Sequence, residues 1–241
     1  MKIPRLYTTT SPLAAGQQLQ LDKDAAKYIT RVLRRKVGDA VTLFNGDGNN
    51  YPATITDIDA GTMVTIENCL HNPTESPLKI TLVQALAKGS KLDLVIQKAT
   101  ELGVTRIVPV TAERSVMQID EKRLQKRMQH WQGIAISACT QCERSIIPVI
   151  EHPQDTTQWI AGNTSTTLML HPGATQSISE VEITDTSIQL LIGPEGGFSD
   201  NEVQLAINTS IKPVSCGPRI LRTETAGFTA LAILQARFGD L

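Results

Sequence analysis

From Lys79 onward the chain repeats one pattern, in which short apolar runs are separated by amphipathic stretches. KITLVQAL, RIVPVTAE, IIPVIE, TTLMLH and IQLLIG are runs of Val, Ile and Leu of strand length. Between the first two, KLDLVIQKATELGV carries apolar residues at helical spacing and stops at Gly103. DEKRLQKRMQHWQGIAISACTQC is a second, longer helix, Asp200–Asn208 a third and Thr223–Phe238 a fourth, with PVSC a short strand between the last two. Strands joined through helices lie parallel, so the pattern predicts an α/β domain with a mainly parallel sheet.

The first part of the chain has a different texture. YPATITDID and TMVTIEN alternate apolar and polar residues, and FNGDGNNY is a turn cluster suited to a hairpin. One helix is expected at residues 24–36, where Ala25, Ile29, Val32, Leu33 and Val37 follow helical spacing closely enough. This reads as a small β-rich, barrel-like domain. HNPTESP, residues 71–77, has two prolines and no periodicity and is the best linker. The division is therefore 1–72 and 73–241.

Charge and motifs narrow the function. The formal net charge is −1, so a nucleic-acid site must be a local patch. No apolar run approaches the roughly 20 residues of a membrane span. MKIPRLYTTT lacks the apolar segment of a signal peptide, and the four cysteines are sparse, so a cytoplasmic protein with free thiols and no membrane is expected. Cys139 and Cys142 form a C-x-x-C late in a long helix with no second pair, which reads as structural thiols; no metal is expected. His130 and Trp131 on the same helix read as packing or interface residues. GxSxG and HExxH are absent.

Three loops remain at strand ends, where ligands of open α/β sheets bind. They are LHPGA (170–174), GPEGG (193–197) and CGPRILRTETAGF (216–228). GPEGG lacks the spacing of a dinucleotide fingerprint and the Gly-Lys-Ser/Thr of a P-loop, and it offers a glutamate where phosphate needs a cation. Taken alone it fits a tight turn as well as a loop approaching a neutral ligand. In the third loop Thr223 can cap the final helix, and Glu224 suits its positive end. Arg219 and Arg222 oppose that end, and so point to an anion or a substrate.

These segments resemble the RsmE-type uridine-N3 methyltransferases of small-subunit ribosomal RNA, in the SPOUT class. LIGPEGGFSDNE and GPRILRTETA, preceded by LHP, carry the resemblance; IPRLY, YITRVLR, IQKATELGV, ERS, HWQGIAISACTQCER and RFGDL extend it over nearly the whole chain. Cys216 stands where that family usually has leucine. The resemblance implies a PUA-like β-barrel followed by a SPOUT α/β domain with a C-terminal trefoil knot, acting as a homodimer through the knot and final helix. It implies S-adenosylmethionine as cofactor, held by Leu170, His171 and Pro172; by Ile192, Gly193, Glu195 and Gly197; and by Cys216, Gly217, Ile220, Leu221, Arg222, Thr225 and Ala226. It implies methylation of N3 of one uridine in 16S rRNA. Arg222 is then the group that stabilises charge on the uracil, and Glu224 the base or the orienter of Arg222, its plain role as a helix-terminus carboxylate remaining open. Glu195 would help attract the sulfonium.

An RNA partner needs cations. Lys27, Arg31 and Arg34 recur at helical spacing, with Arg35 beside them and Arg5 added from the N-terminal strand; Lys88 and Arg114 would extend the surface. Such a run is also compatible with a solvated helix face. A related SPOUT enzyme acting on a ribose 2′-oxygen and a silent RNA-binding protein are the competing readings. The intact glycines, Arg222 and Glu224 speak against the silent protein, and the N-terminal domain and the extended match favour the N3 methyltransferase over the ribose-modifying enzyme.

Overall fold

The computed structural model describes residues 3–59, 61–87, 89–115 and 121–241, the first two of helix 121–142 by backbone alone. Lys88 lies outside the described residues. The chain forms two compact units, one of Met1–Glu75 with Cys139–Ile147, the other of Ser76–Ala138 with Pro148–Leu241. A cut after residue 72 assigns 139–147 to the second domain; in the structure that segment packs with the first.

The small unit contains β1 (Arg5–Tyr7), β2 (Gln18–Gln20), α1 (Lys23–Lys27), β3 (Ala40–Phe44), β4 (Asn49–Asp57), β5 (Met63–Ile66) and β6 (Leu70–His71). Its sheet runs β1-β3-β4-β5-β2, with β6 against β4. Only the β1–β3 ladder is parallel. The alternation in β4 turns Tyr51, Ala53 and Ile55 inward, onto Leu6, Ile29, Val41, Leu43, Val64 and Ile66.

Two expectations fail here. Arg5 is 9% exposed, and is no surface cation. Its guanidinium donates to Asn50 Oδ1 at 2.6 Å, the Arg144 carbonyl at 3.0 Å and Ser145 Oγ at 3.2 Å, and lies 4.8 Å from the Phe44 ring centre. Asn72 Nδ2 donates to the Glu143 carbonyl at 2.7 Å and to Ser145 Oγ at 2.8 Å, and Arg144 pairs with Glu75 at 2.6 Å. These bonds hold 143–145 to the strands, and they turn the terminal nitrogens of Arg5 inward, away from any RNA.

The expected helix 24–36 is also shorter. Asp22 caps α1 by accepting from the Asp24 and Ala25 N–H groups. The helix then widens into a π turn over Tyr28–Val32, in which Leu33 N–H reaches back to the Tyr28 carbonyl at 2.9 Å. The added residue rotates Val32 off the apolar face, leaving it 63% exposed while Ile29 stays fully buried. Arg34 follows at φ 54°, outside the helix, so Lys27, Arg31 and Arg34 do not share one helical face.

The larger unit has β7 (Lys79–Ala85), α2 (Lys91–Glu101), β8 (Arg106–Thr111), α3 (Glu121–Cys142, its end from Cys139 belonging to the small unit), β9 (Val149–Ile150), β10 (Gln154–Asp155) and α4 (Thr156–Ala161). It continues with β11 (Thr167–Leu170), β12 (Ser187–Ile192), α5 (Asp200–Asn208), β13 (Lys212–Val214) and α6 (Thr223–Phe238). The strand order is β10-β8-β7-β12-β11-β13 with β9 beside β8, and every ladder is parallel. Helices cover both faces, so β7 is buried almost throughout its length. Val83, Val108, Met169 and Leu191 pack beneath Ile160 of α4 and Ala206 of α5, while α6 lies against α2, β7 and β12. The chain therefore leaves the sheet edge at β13 and returns to its middle across the carboxyl ends of β11 and β12. On the way Ser215 N–H donates to the Gln176 carbonyl and Ile178 N–H to the Ser215 carbonyl, both at 2.9 Å.

Candidate functional site

The three glycine- and proline-bearing loops meet at those strand ends. They enclose a cavity of about 540 Å³, within the roughly 300–1,000 Å³ of small-molecule clefts. Leu170, His171 and Pro172 line it from the first loop, Ile192 to Phe198 and Asp200 from the second, and Cys216, Gly217, Arg219 to Thr223 and Ala226 from the third. Arg114 completes the wall. Of the residues singled out in the sequence for the cofactor, only Thr225, which is exposed on α6, is not in this wall. Glu224 is also outside it.

The second and third loops are held by bonds that sequence patterns did not announce. Thr223 Oγ1 donates to the Gly193 carbonyl at 2.6 Å and accepts from Gln84 Nε2 at 2.9 Å. The expected cap is thus a cross-link: Arg222 occupies the N-cap position of α6, and no side chain caps it. Arg114 Nη1 donates to the carbonyls of Gly196 at 3.3 Å and Phe198 at 3.2 Å, so it braces GPEGG from behind. A Cβ at Gly193 would lie 3.1 Å from the Phe198 ring, and Gly197 has φ 70°, so both positions favour glycine. Past the loop, Ser199 and Glu202 form a capping box, and buried Glu202 also accepts from Glu113 N–H at 3.0 Å.

The charges divide into paired and unpaired. Glu195, expected to attract a cation, already lies 2.7 Å from Lys91 Nζ. The same ammonium stands 3.8 Å from Glu224 Oε2, which is buried and has no hydrogen-bond partner among the described residues. Arg219 and Arg222 are exposed and make no ion pair among the described residues. Burial pushes the Cys216 thiol up to about 11, so it is a neutral, apolar part of the wall near pH 7. Cys139 of the C-x-x-C is buried as well, and burial pushes its thiol up to about 12. His130 pairs with Asp93 at 2.9 Å, and Trp131 is 3% exposed. Among the described residues no helix is long and apolar enough to cross a membrane, and no group of three His, Cys, Asp or Glu is placed to hold a metal.

The RNA methyltransferase domain model matches residues 74–235, and the RNA methyltransferase PUA domain model matches residues 21–67. A ribosomal RNA small subunit methyltransferase E from Buchnera aphidicola is 37% identical, over 99% of this chain and 95% of its own length. The chain belongs to the ribosomal RNA small subunit methyltransferase E family. A member from Bacillus subtilis is 30% identical over 94% of this chain and 93% of its own. The family likeness holds in three dimensions. A putative methyltransferase from Legionella pneumophila, solved with bound S-adenosylmethionine, superposes with a TM-score of 0.94 at 40% identity over 100% of both chains. The Neisseria gonorrhoeae member of the family, also solved with S-adenosylmethionine, gives 0.92 at 33% identity over 99% of both. The fold is accordingly a PUA domain with an RNA methyltransferase domain.

Proposed function

We propose that the chain methylates N3 of one uridine in 16S rRNA, within the small ribosomal subunit, using S-adenosylmethionine. The observation that carries the proposal is the composition of the cavity wall. Apolar Leu170, Ile192, Leu221 and Ala226, together with loop backbone, suit an adenosine, and the unpaired Arg219 and Arg222 suit an anion. The cavity volume and the glycines at 193 and 197 also fit that cofactor. Leu170, His171 and Pro172, the 192–197 loop and the 216–226 segment would hold it. When bound, it supplies an electrophilic methyl group.

The remaining tasks fall to this chain's side chains. N3 must lose its proton as it gains the methyl, and negative charge develops on the uracil carbonyls. Arg222, which makes no ion pair among the described residues, is the group to stabilise that charge. Glu224 would serve as the base or as the orienter of Arg222; it lies outside the cavity wall, its buried Oε2 3.8 Å from the Lys91 ammonium. Lys91 holds Glu195 and stands beside Glu224. Lys27, Arg31, Arg34 and Arg35 would bind RNA backbone. The protein would work in the cytoplasm as a homodimer through α6, which is apolar around its circumference and leaves Phe228 and Ile233 only half-buried.

The test incubates the protein with labelled S-adenosylmethionine and small subunits lacking the modification, followed by nucleoside mass spectrometry. Label on uracil N3 is expected; label on ribose, or no transfer, overturns the proposal. Arg222→Ala should lower kcat far more than cofactor affinity, and equal losses would make Arg222 a cofactor-positioning residue. Light scattering at micromolar concentration should give the mass of a dimer.

A further inference from the structure

The basic segment of the small unit carries a feature that phosphate binding alone does not require. Tyr28 is 44% exposed, Val32 63% and Val37 57%, although Ile29 between them is fully buried. The π turn produces this arrangement, because its extra residue turns two bulky side chains outward without unseating Ile29. Around them Lys27, Arg31 and Arg34 are exposed and make no ion pair among the described residues. Two of the nearby acids are committed to backbone: Asp22 caps α1, and Asp39 accepts from Lys36 N–H at 2.9 Å. An exposed aromatic ring thus stands among cations that make no ion pair among the described residues, with Asp24 the remaining acid of α1.

We propose that this turn is a single-strand RNA site in which Tyr28 stacks on an unpaired base while Lys27, Arg31 and Arg34 hold the flanking phosphates. The proposal rests on the reading that RNA is the substrate, and it adds that the small unit grips unstacked nucleotides rather than duplex backbone alone. A duplex offers phosphates but no free base face; a loop or single strand offers both. Cations interleaved with one aromatic are the composition that single-strand sites use. An anionic membrane surface is a poorer fit, since α1 has only five residues and presents no continuous apolar stripe.

The experiment measures fluorescence anisotropy of the full-length protein with an oligouridylate of about 12 nucleotides and with a duplex of the same length. The parent should prefer the single strand. Tyr28→Ala should weaken single-strand binding roughly 5- to 150-fold, the equivalent of one lost base stack, and leave duplex binding unchanged. Tyr28→Trp should retain binding, and circular dichroism melting of each variant checks the fold. Arg31→Ala should instead lower the salt dependence of single-strand binding by about 0.7 in log–log slope, while Tyr28→Ala leaves that slope intact. Single-strand binding by Tyr28→Ala equal to the parent overturns the stacking site while leaving the methyltransferase reading intact. Failure of the parent to bind or methylate any RNA sinks that reading itself. Loss of binding to phosphatidylglycerol vesicles, with RNA binding unchanged, would assign the patch to a membrane and overturn the proposal.

Discussion

Replacing Thr223 by valine removes one oxygen and changes little else in shape. That oxygen joins three parts of the cavity floor: the end of β7 through Gln84, the GPEGG loop through Gly193, and the start of α6. Thr223 is 5% exposed and Gln84 1%, so water cannot readily replace the partner that Gln84 loses, while the Gly193 carbonyl belongs to a half-buried residue of the cavity wall. The substitution leaves the Gly193 carbonyl and one Gln84 N–H unpaired, and each buried orphan costs about 1–3 kcal/mol. Setting the easier burial of a methyl against this, the net loss should be about 2–4 kcal/mol. Urea denaturation read by circular dichroism gives the number, and calorimetric titration of S-adenosylmethionine should show weaker binding, because the Gly193 loop loses its tether. Thr223→Ser keeps both hydrogen bonds and should cost about 1 kcal/mol, for one methyl. Gln84→Met combined with Thr223→Val should cost less than the sum of the two single changes, since one orphan disappears from the pair. A valine variant within about 0.5 kcal/mol of the parent, or strict additivity in the double variant, would refute the cross-link as a stabilising element.

Other outcomes follow from the same structure. Arg5→Ala should cost about 3 kcal/mol or more in urea denaturation by stranding its buried acceptors, with no change in the salt dependence of RNA binding; a reduced salt slope would restore Arg5 to the RNA surface. At pH 8 a thiol reagent should label exposed Cys69 first, while Cys216, pushed up to about 11, holds roughly one thiolate in a thousand and lags. Cys139 is held up at about 12 from an ordinary value near 9, so the unfolded chain releases its proton first. The stability it contributes is full below pH 9 and declines from there toward pH 12, and Cys139→Ala should flatten part of the decline in urea midpoint across that range.

Legibility in the sequence tracked the distance between partners. The bounds of α5 were readable because Ser199 and Glu202 are local signals, and those of α6 because its apolar run is continuous and local. The parallel sheet followed from alternation alone, and the three loops were recognisable from their own composition. What depends on remote partners was not. Nothing near Arg5 marks a residue whose acceptors lie 139 and 140 positions away. Thr223 looked like a cap because capping is what a threonine before a helix does locally, whereas its hydroxyl is claimed by Gly193, 30 positions back. Lys91 carried no motif, yet it faces both Glu195 and Glu224. The π turn escaped for another reason: apolar spacing assumes a constant number of residues per turn, and Tyr28–Val32 does not keep it. Short α4, which Asp155 caps, and the two-residue β10 lie below the length at which periodicity is visible, while β9 is the part of the run IIPVIE that pairs.

The inclusion of 139–147 in the small unit sets an order of assembly during synthesis. A nascent chain that has emerged only as far as residue 75 has all the strands of that unit, but the carbonyl of Arg144 and the hydroxyl of Ser145 do not yet exist for Arg5 and Asn72. Its donors stay hydrated until β7, α2, β8 and α3 have also left the ribosome. The amino-terminal unit is therefore not finished before the middle of its neighbour has been made. A gene fragment ending at residue 75 encodes an incomplete body, and grafting this unit onto another enzyme requires carrying a nine-residue piece from elsewhere in the chain.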